Sequence, residues 1–280
     1  METFKNKQEV FDQSYSKISP TAVFCARMRA KQKIPFAKEI VKLIDTEYSE
    51  KIEDLPDYGD TLNSKTDFIP FIEGRYYSLN DALHKINNTF IIEIASGLSP
   101  RSLNFLGKTD TVYIETELNE LIKLKENILR EIVKKEGLND QNLIFMPVNP
   151  LKKSDIDKIG ELYLEKGKNK KLIIIHEGLL MYFDKKEKEI FRDNMKYLLE
   201  NYAKNGLWLT PDFSRIKKKK NEPKGKENIR DKISQVTKRK FNYFNSERDT
   251  KEFLRSGGFK FNIFPNEKIV KQLIKKKSLQ

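Results

Sequence analysis

The residues best suited to chemistry in this chain begin with the stretch IIEIASGLSPR at residues 91–101. An apolar run carrying Glu93 passes into Ala95, Ser96 and Gly97, small residues that let a backbone turn tightly and approach a ligand with no side chain in the way. A second run, TVYIETELNEL at residues 111–121, carries Glu115 and Glu117. An acid about 20 residues beyond a glycine turn is placed to accept hydrogen bonds from both ribose hydroxyls of an adenosine group. Gly97 and Glu117 have that separation, and two residues apart on a strand Glu115 shares the face, so spacing alone does not choose between the acids. One glycine stands where dinucleotide loops carry two or three, and no phosphate-binding lysine motif is present, which favours a nucleoside cofactor without phosphates. His176, beside Glu177 in HEGLLMYF, is the histidine at a predicted strand end. It is a candidate general base for a phenol or alcohol, with a buried, backbone-bonded histidine as the alternative. Tyr76, Tyr77 and Tyr182 are candidates for an aromatic acceptor wall or for plain packing.

These groups need elements to hold them. Residues 90–95, 111–116, 142–148, 171–176 and 206–213 are β-rich apolar runs short enough for strands. Helical patterns at 117–135, 154–166 and 185–202 lie between them, with a shorter turn after Pro100. That alternation predicts a doubly wound, mostly parallel sheet covered on both faces and joined by right-handed crossovers. Such a sheet binds ligands outside the carboxyl ends of its strands, where the strand order reverses.

Ahead of the first strand, TAVFCARMRAKQ and FAKEIVKLI read as helices separated at Pro35, residues 54–67 as a turn-rich joint, and SLNDALHKI as a short helix. The expected organisation is a helical extension and cofactor-covering segment at 1–88, followed by a nucleoside-binding core at 89–280. A basic insertion at 214–245 reads as a solvated loop or a lid. ERDTKEFLRSGGF then predicts a helix, FKFNIF a strand and EKIVKQLIKK a last helix.

Composition narrows the classes. A hydrophobic fraction of 38% and charged fraction of 34% suit a folded α/β domain rather than wholesale disorder. No run reaches the ~18 apolar residues of a membrane span, so the expectation is a cytoplasmic protein without membrane contact. A single cysteine, Cys25, and two histidines predict neither an internal disulfide nor a metal site. The net charge of +13 admits a nucleic-acid partner, although an AT-rich genome would enrich lysine without any anionic ligand.

The order of segments resembles the leucine carboxyl methyltransferase and polyketide O-methyltransferase family of class I S-adenosylmethionine enzymes. TAVFCARMRA resembles its N-terminal signature, IEGRYYSLNDAL its arginine-bearing helix and IIEIASGLSPRSL its glycine loop. VYIETELNEL resembles its ribose-binding strand and IIIHEGLLMYF its strand-four motif, so the matches run collinearly over residues 21–183. The resemblance implies a Rossmann-like methyltransferase fold with S-adenosyl-L-methionine as cofactor and S-adenosyl-L-homocysteine as product. It implies that Arg75 and Arg29 pair with the methionine carboxylate, that Ala95 and Gly97 lie at the cofactor loop, and that Glu93 braces that loop or meets the amino group. It further assigns the ribose to Glu117, leaving Glu115 deeper among backbone donors; adenine recognition to the amide oxygen of Asn149, with Pro150 beside it; and the methionyl end to Glu177. Arg101 is left to brace the turn. The implied acceptor is a small molecule or carboxylate methylated on oxygen. The alternatives are RNA or protein methylation and a catalytically degenerate cofactor-binding module.

Overall fold

The computed structural model describes residues 20–32, 34–51, 68–108, 110–213, 234 and 239–263. Two helices come first, α1 (Pro20–Lys31) and α2 (Ala37–Glu47), then a longer α3 (Phe68–His84) that leads into β1 (Thr89–Glu93). The alternation follows as β2 (Val112–Glu117), α4 (Asn119–Glu136), β3 (Leu143–Pro147), α5 (Lys153–Lys166), β4 (Lys171–Ile175), α6 (Lys185–Tyr202) and β5 (Leu207–Leu209), with α7 (Glu247–Ser256) beyond it. All strand pairings are parallel, in the order β3-β2-β1-β4-β5. The predicted doubly wound fold is therefore present, and its order reverses beside β1.

Each strand alternates between two buried faces. Phe90, Ile92, Val112, Ile114, Leu172 and Ile174 meet α5 and α6 through Ile156, Ile159, Phe191 and Met195. Ile91, Tyr113, Ile173 and Ile175 meet Leu79 and Leu83 of α3 on the other face. The period of two thus assigns Glu93, Glu115 and Glu117 to the α3 side. On the outer side of that layer, α1 and α2 share an apolar core with α4, through Ala22, Ala26, Ile40, Ile44, Leu121 and Ile128.

The strand expected at FKFNIF does not form over residues 259–263, whose described backbone is without ladder bonds; Phe259 N–H instead closes α7 by donating to Leu254 O (3.0 Å). β5 is also shorter than its apolar run, because Pro211 lacks an N–H and the chain turns at Asp212. The helix before β1 begins ten residues earlier than SLNDALHKI suggests. The last predicted helix and most of the basic insertion lie outside the described residues.

Glu115 departs from expectation in its partner. It is buried beside Lys125 of α4, with Nζ donating to Oε2 at 2.6 Å and, more weakly, to Ser96 O at 3.5 Å. Burial pushes this carboxyl up, with the Lys125 charge opposing. Removing one member of such a pair leaves an uncompensated buried charge, which typically costs about 3–5 kcal/mol, whereas replacing both with apolar groups is often neutral. K125M is therefore expected to lower unfolding stability by about 3 kcal/mol or more, and E115L/K125M to recover most of the loss in urea titrations. Equal losses in the single and double variants would contradict this.

Candidate functional site

At the carboxyl edge of β1 the chain turns through two left-handed residues, Ala95 and Gly97, both at φ 51°. Ser96 between them donates its N–H and its hydroxyl to Thr116 O (2.9 and 3.1 Å), fastening the turn to β2. A Cβ at Gly97 would reach Ala22 at an ordinary 3.7 Å, so the requirement for glycine there is conformational rather than steric. Glu117 stands at the end of β2 facing this turn. Its Oε1 accepts from Gly97 N–H at 3.4 Å and its Oε2 from Leu118 N–H at 2.8 Å. Burial raises this carboxyl above the usual range against those donors and the Lys125 charge. Unlike Glu115, it makes no ion pair among the described residues and is left able to accept further donors.

Next to the turn three guanidiniums converge on three carboxylates. Arg101, from the turn of 3-10 helix after Pro100, is fully buried. It donates to Glu93 Oε1 (3.1 Å), Tyr76 O (2.9 Å), Asn80 Oδ1 and Glu177 Oε2, and lies 4.5 Å from the centre of the Tyr76 ring. Arg29 of α1 donates to Glu177 Oε1 at 3.1 Å, and Arg75 of α3 lies 3.6 Å from the same oxygen and 3.8 Å from Asp212. The Glu93 carboxylate also accepts from Tyr113 OH (2.6 Å). Burial would raise the Glu177 carboxyl, but the charges of Arg29, Arg75 and Arg101 outweigh it and hold the group below its usual range.

Asp212, just past β5, fixes the segment after β4. Its carboxylate accepts from the N–H groups of Gly178 (2.6 Å), Leu179 (2.7 Å) and Leu180 (3.0 Å) and pairs with His176 Nδ1 (3.1 Å). Burial is again outweighed, by the His176 hydrogen bond and charge and by Arg75, so this carboxyl titrates well below the aspartate range. Gly178 sits at φ 82°, a left-handed conformation that favours glycine, and an added Cβ would lie 2.5 Å from Arg75 Nη2 and displace that guanidinium.

The geometry sorts the sequence candidates. Arg29, Arg75, Glu93, Ala95, Gly97, Glu117 and Glu177 come together around the turn. Arg101, which the sequence leaves as a brace, is the centre of the cluster. Asn149 keeps its place after β3, but its amide oxygen accepts from Leu151 N–H at 3.0 Å, closing a local turn, while Pro150 O accepts from Asn194 of α6 (2.9 Å). These bonds anchor both residues at the carboxyl end of β3.

His176 is fully buried, bonded to the side chains of Asp212 and Thr210 and packed edge-on against Phe191 at 5.2 Å between ring centres. It lies on the α6 face because it continues the parity of Leu172 and Ile174, opposite to Glu177. The candidate base thus sits in the core, on the opposite face from Glu177, with Nδ1 held by Asp212 and Nε2 left without a hydrogen-bond partner among the described residues. Tyr76 is likewise completely buried, donating no wall to an acceptor. Tyr77 is half-buried with its ring 5.5 Å from Tyr76. Tyr182 is half-buried against Phe241 (5.3 Å between centres), and burial pushes its hydroxyl pKa up, which disfavours the phenolate a base would need.

Sequence reasoning missed Asp212 and Lys125. The signal for Lys125 was available, since it interrupts the apolar stripe of Leu121, Ile122, Ile128 and Ile132 on one face of α4. Asp212 is a single acid after a strand, which no spacing distinguishes from a surface residue.

No protein-family model and no curated protein matches this chain. Among solved structures, similarity extends to an O-methyltransferase family protein from Burkholderia thailandensis, at 13% identity over 81% of this chain and 68% of that one, with a TM-score of 0.42. A putative O-methyltransferase from Nostoc punctiforme is 9% identical over 69% and 55%, with a TM-score of 0.42. Human N-acetylserotonin methyltransferase in complex with SAM is 8% identical over 82% and 67%, with a TM-score of 0.38. The chain spans 44% of a structure described for conversion of a disulfide bond into a thioacetal group during echinomycin biosynthesis, at 15% identity and a TM-score of 0.31.

Two expectations follow from this geometry. A left-handed alanine costs roughly 1–2 kcal/mol, part of which glycine returns through unfolded-chain entropy, so A95G should raise stability by up to about 1 kcal/mol in urea unfolding; a loss would mean that the Ala95 methyl packs better than its backbone suggests. Glu177 and Asp212 have folded values below their unfolded ones, so the stability they supply is present at neutral pH and is lost as pH falls through and below about 4. The urea midpoint of the wild type should drop over that window, and D212N should show a smaller drop from a lower starting point.

Proposed function

We propose that this chain is an S-adenosylmethionine-dependent methyltransferase acting on oxygen of a small molecule or carboxylate. The observation that carries the reading is Glu117, a carboxylate without a cationic partner among the described residues, standing over a left-handed turn at the point where the strand order of a parallel sheet reverses. The collinear resemblance of residues 21–183 supports the same assignment. The local chemistry fits the cofactor. Glu117 would accept from the ribose hydroxyls, Gly97 would lie beneath the nucleoside, and the arginine cluster would receive the methionyl carboxylate. Arg29 Nε is buried with no partner among the described residues, a donor left over for such a carboxylate.

The bound cofactor supplies an electrophilic methyl group on a sulfonium, and in-line displacement then depends on holding the acceptor oxygen opposite the sulfur. Arg101 and Glu93 keep the floor of the site rigid, and Glu177 draws Arg29 and Arg75 to the same carboxylate oxygen. Tyr182 is kept protonated, and His176 is fully buried with its Nδ1 held by Asp212. That favours an acceptor already anionic at neutral pH, such as a carboxylate, which needs no base.

Titration calorimetry tests the assignment. S-adenosylmethionine and S-adenosylhomocysteine should bind the wild type without added metal, and E117Q should lower affinity about tenfold or more while leaving the unfolding midpoint nearly unchanged. Absence of binding at millimolar cofactor would overturn the proposal. An E115Q variant that lost affinity while E117Q kept it would move the ribose contact one strand repeat back.

A further inference from the structure

At the opposite edge of the sheet, where β1, β4 and β5 begin, lies an open cleft of about 540 Å³. Its rim is basic: Lys168, Lys170, Lys171 and Lys204 line it together with exposed amides such as those of Asn87 and Asn205. The cleft is built rather than incidental. Asn88 adopts a left-handed conformation at φ 51° and ties three segments together. Its Nδ2 donates to Asn169 O (2.8 Å), its Oδ1 accepts from Lys170 Nζ (3.3 Å), and its carbonyl accepts from Lys171 N–H (2.8 Å). Tyr163 supports the same loop by donating its hydroxyl to Lys170 O at 2.8 Å. On the other wall Gly206 allows the turn into β5, since a Cβ there would lie 3.1 Å from Leu172 O and 2.5 Å from Leu199.

Of the four lysines only Lys170 is tied to an acid among the described residues, donating to Asp110 O at 2.7 Å. Lys168, Lys171 and Lys204 make no ion pair among the described residues. Asp110 accepts from Asn88 N–H at 2.8 Å, and that hydrogen bond, with the Lys170 charge adding to it, holds its carboxyl below the usual range. Three uncompensated ammoniums around amide donors are complementary to phosphate oxygens. Lysines on flexible stems are point charges that follow a backbone, whereas a single fixed phosphate is better matched by the guanidinium fork of arginine, which this rim lacks. A chain with a net charge of +13 extends the attraction beyond one phosphate.

We infer that the cleft at the amino edge of the sheet, ringed by Lys168, Lys170, Lys171 and Lys204, binds the phosphate backbone of single-stranded nucleic acid. Strands of five residues separate it by about 16 Å from the carboxyl edge. It is a second site, and it stands whether or not the transferase assignment does.

The test uses the full chain without cofactor. Binding of a fluorescein-labelled 15-nucleotide single strand is followed by anisotropy across a salt series, for the wild type, K168E/K171E/K204E, and a control with the same charge change, K38E/K42E/K134E, on α2 and α4. The cleft variant should lose affinity at least tenfold and its slope of log K against log salt should flatten by about two, from three phosphate contacts at ~0.7 each; the control should keep its slope within one. Circular dichroism melts confirm that the variants are folded. No binding of the wild type at 50 mM salt overturns the inference, as does a control that weakens as much as the cleft variant. Displacement of the strand by micromolar nucleoside triphosphate overturns it in favour of a discrete nucleotide ligand.

Discussion

Everything at the carboxyl edge depends on a guanidinium with no access to water. Arg101 is fully buried, and its charge is held there by Glu93 from β1 and Glu177 from the segment after β4. Its remaining donors go to α3, through Tyr76 O and Asn80. Burial alone would lower its pKa, but the two carboxylates outweigh it and keep the charge in place. A buried ion is tolerable only where its hydrogen bonds are all met, and meeting them here fixes β1, α3 and the turn after β4 relative to one another. Arg29 and Arg75 then attach to a Glu177 that is already oriented. The cluster is therefore better described as a scaffold that happens to end in donors than as a binding pocket that happens to be rigid.

The second constraint is strand parity. On β1, β2 and β4 the acids Glu93, Glu115, Glu117 and Glu177 take the face of α3 and α4, while His176 falls on the face of α6 with Phe191 and Trp208. The same alternation separates neighbours in sequence. His176 and Glu177 are adjacent residues on opposite faces, and Asp212 links the two surroundings, pairing with His176 Nδ1 at 3.1 Å and lying 3.8 Å from Arg75.

Much of the fold was legible in the residues because its signals are local. Apolar runs bounded by turns, alternating with helical stripes, locate β1 to β4 and α4 to α6 to within a few residues, and the small residues after β1 mark the turn. The candidate site was legible where a residue's role follows from position along a strand, as for Glu117. It was not legible where a residue's partner comes from another element. Lys125 gives Glu115 its ion pair and Asp212 gives His176 its Nδ1 partner, and neither is a neighbour in the pattern that suggested the site. FKFNIF satisfies a strand pattern by its alternation, but residues 259–263 make no ladder bonds.

The parallel order of the sheet has a consequence for how the protein is made. Thr89 pairs with Lys171, so the central contact of the sheet waits for a long loop to close, and no hairpin forms early to template it. The three arginines of the cluster, at positions 29, 75 and 101, leave the ribosome well before Glu177 and Asp212. During that interval Arg101 has Glu93 but lacks half of its counter-charge, and the driving force to bury it is incomplete. The site therefore cannot be completed before Asp212 has been added, just after β5, the last strand of the described sheet.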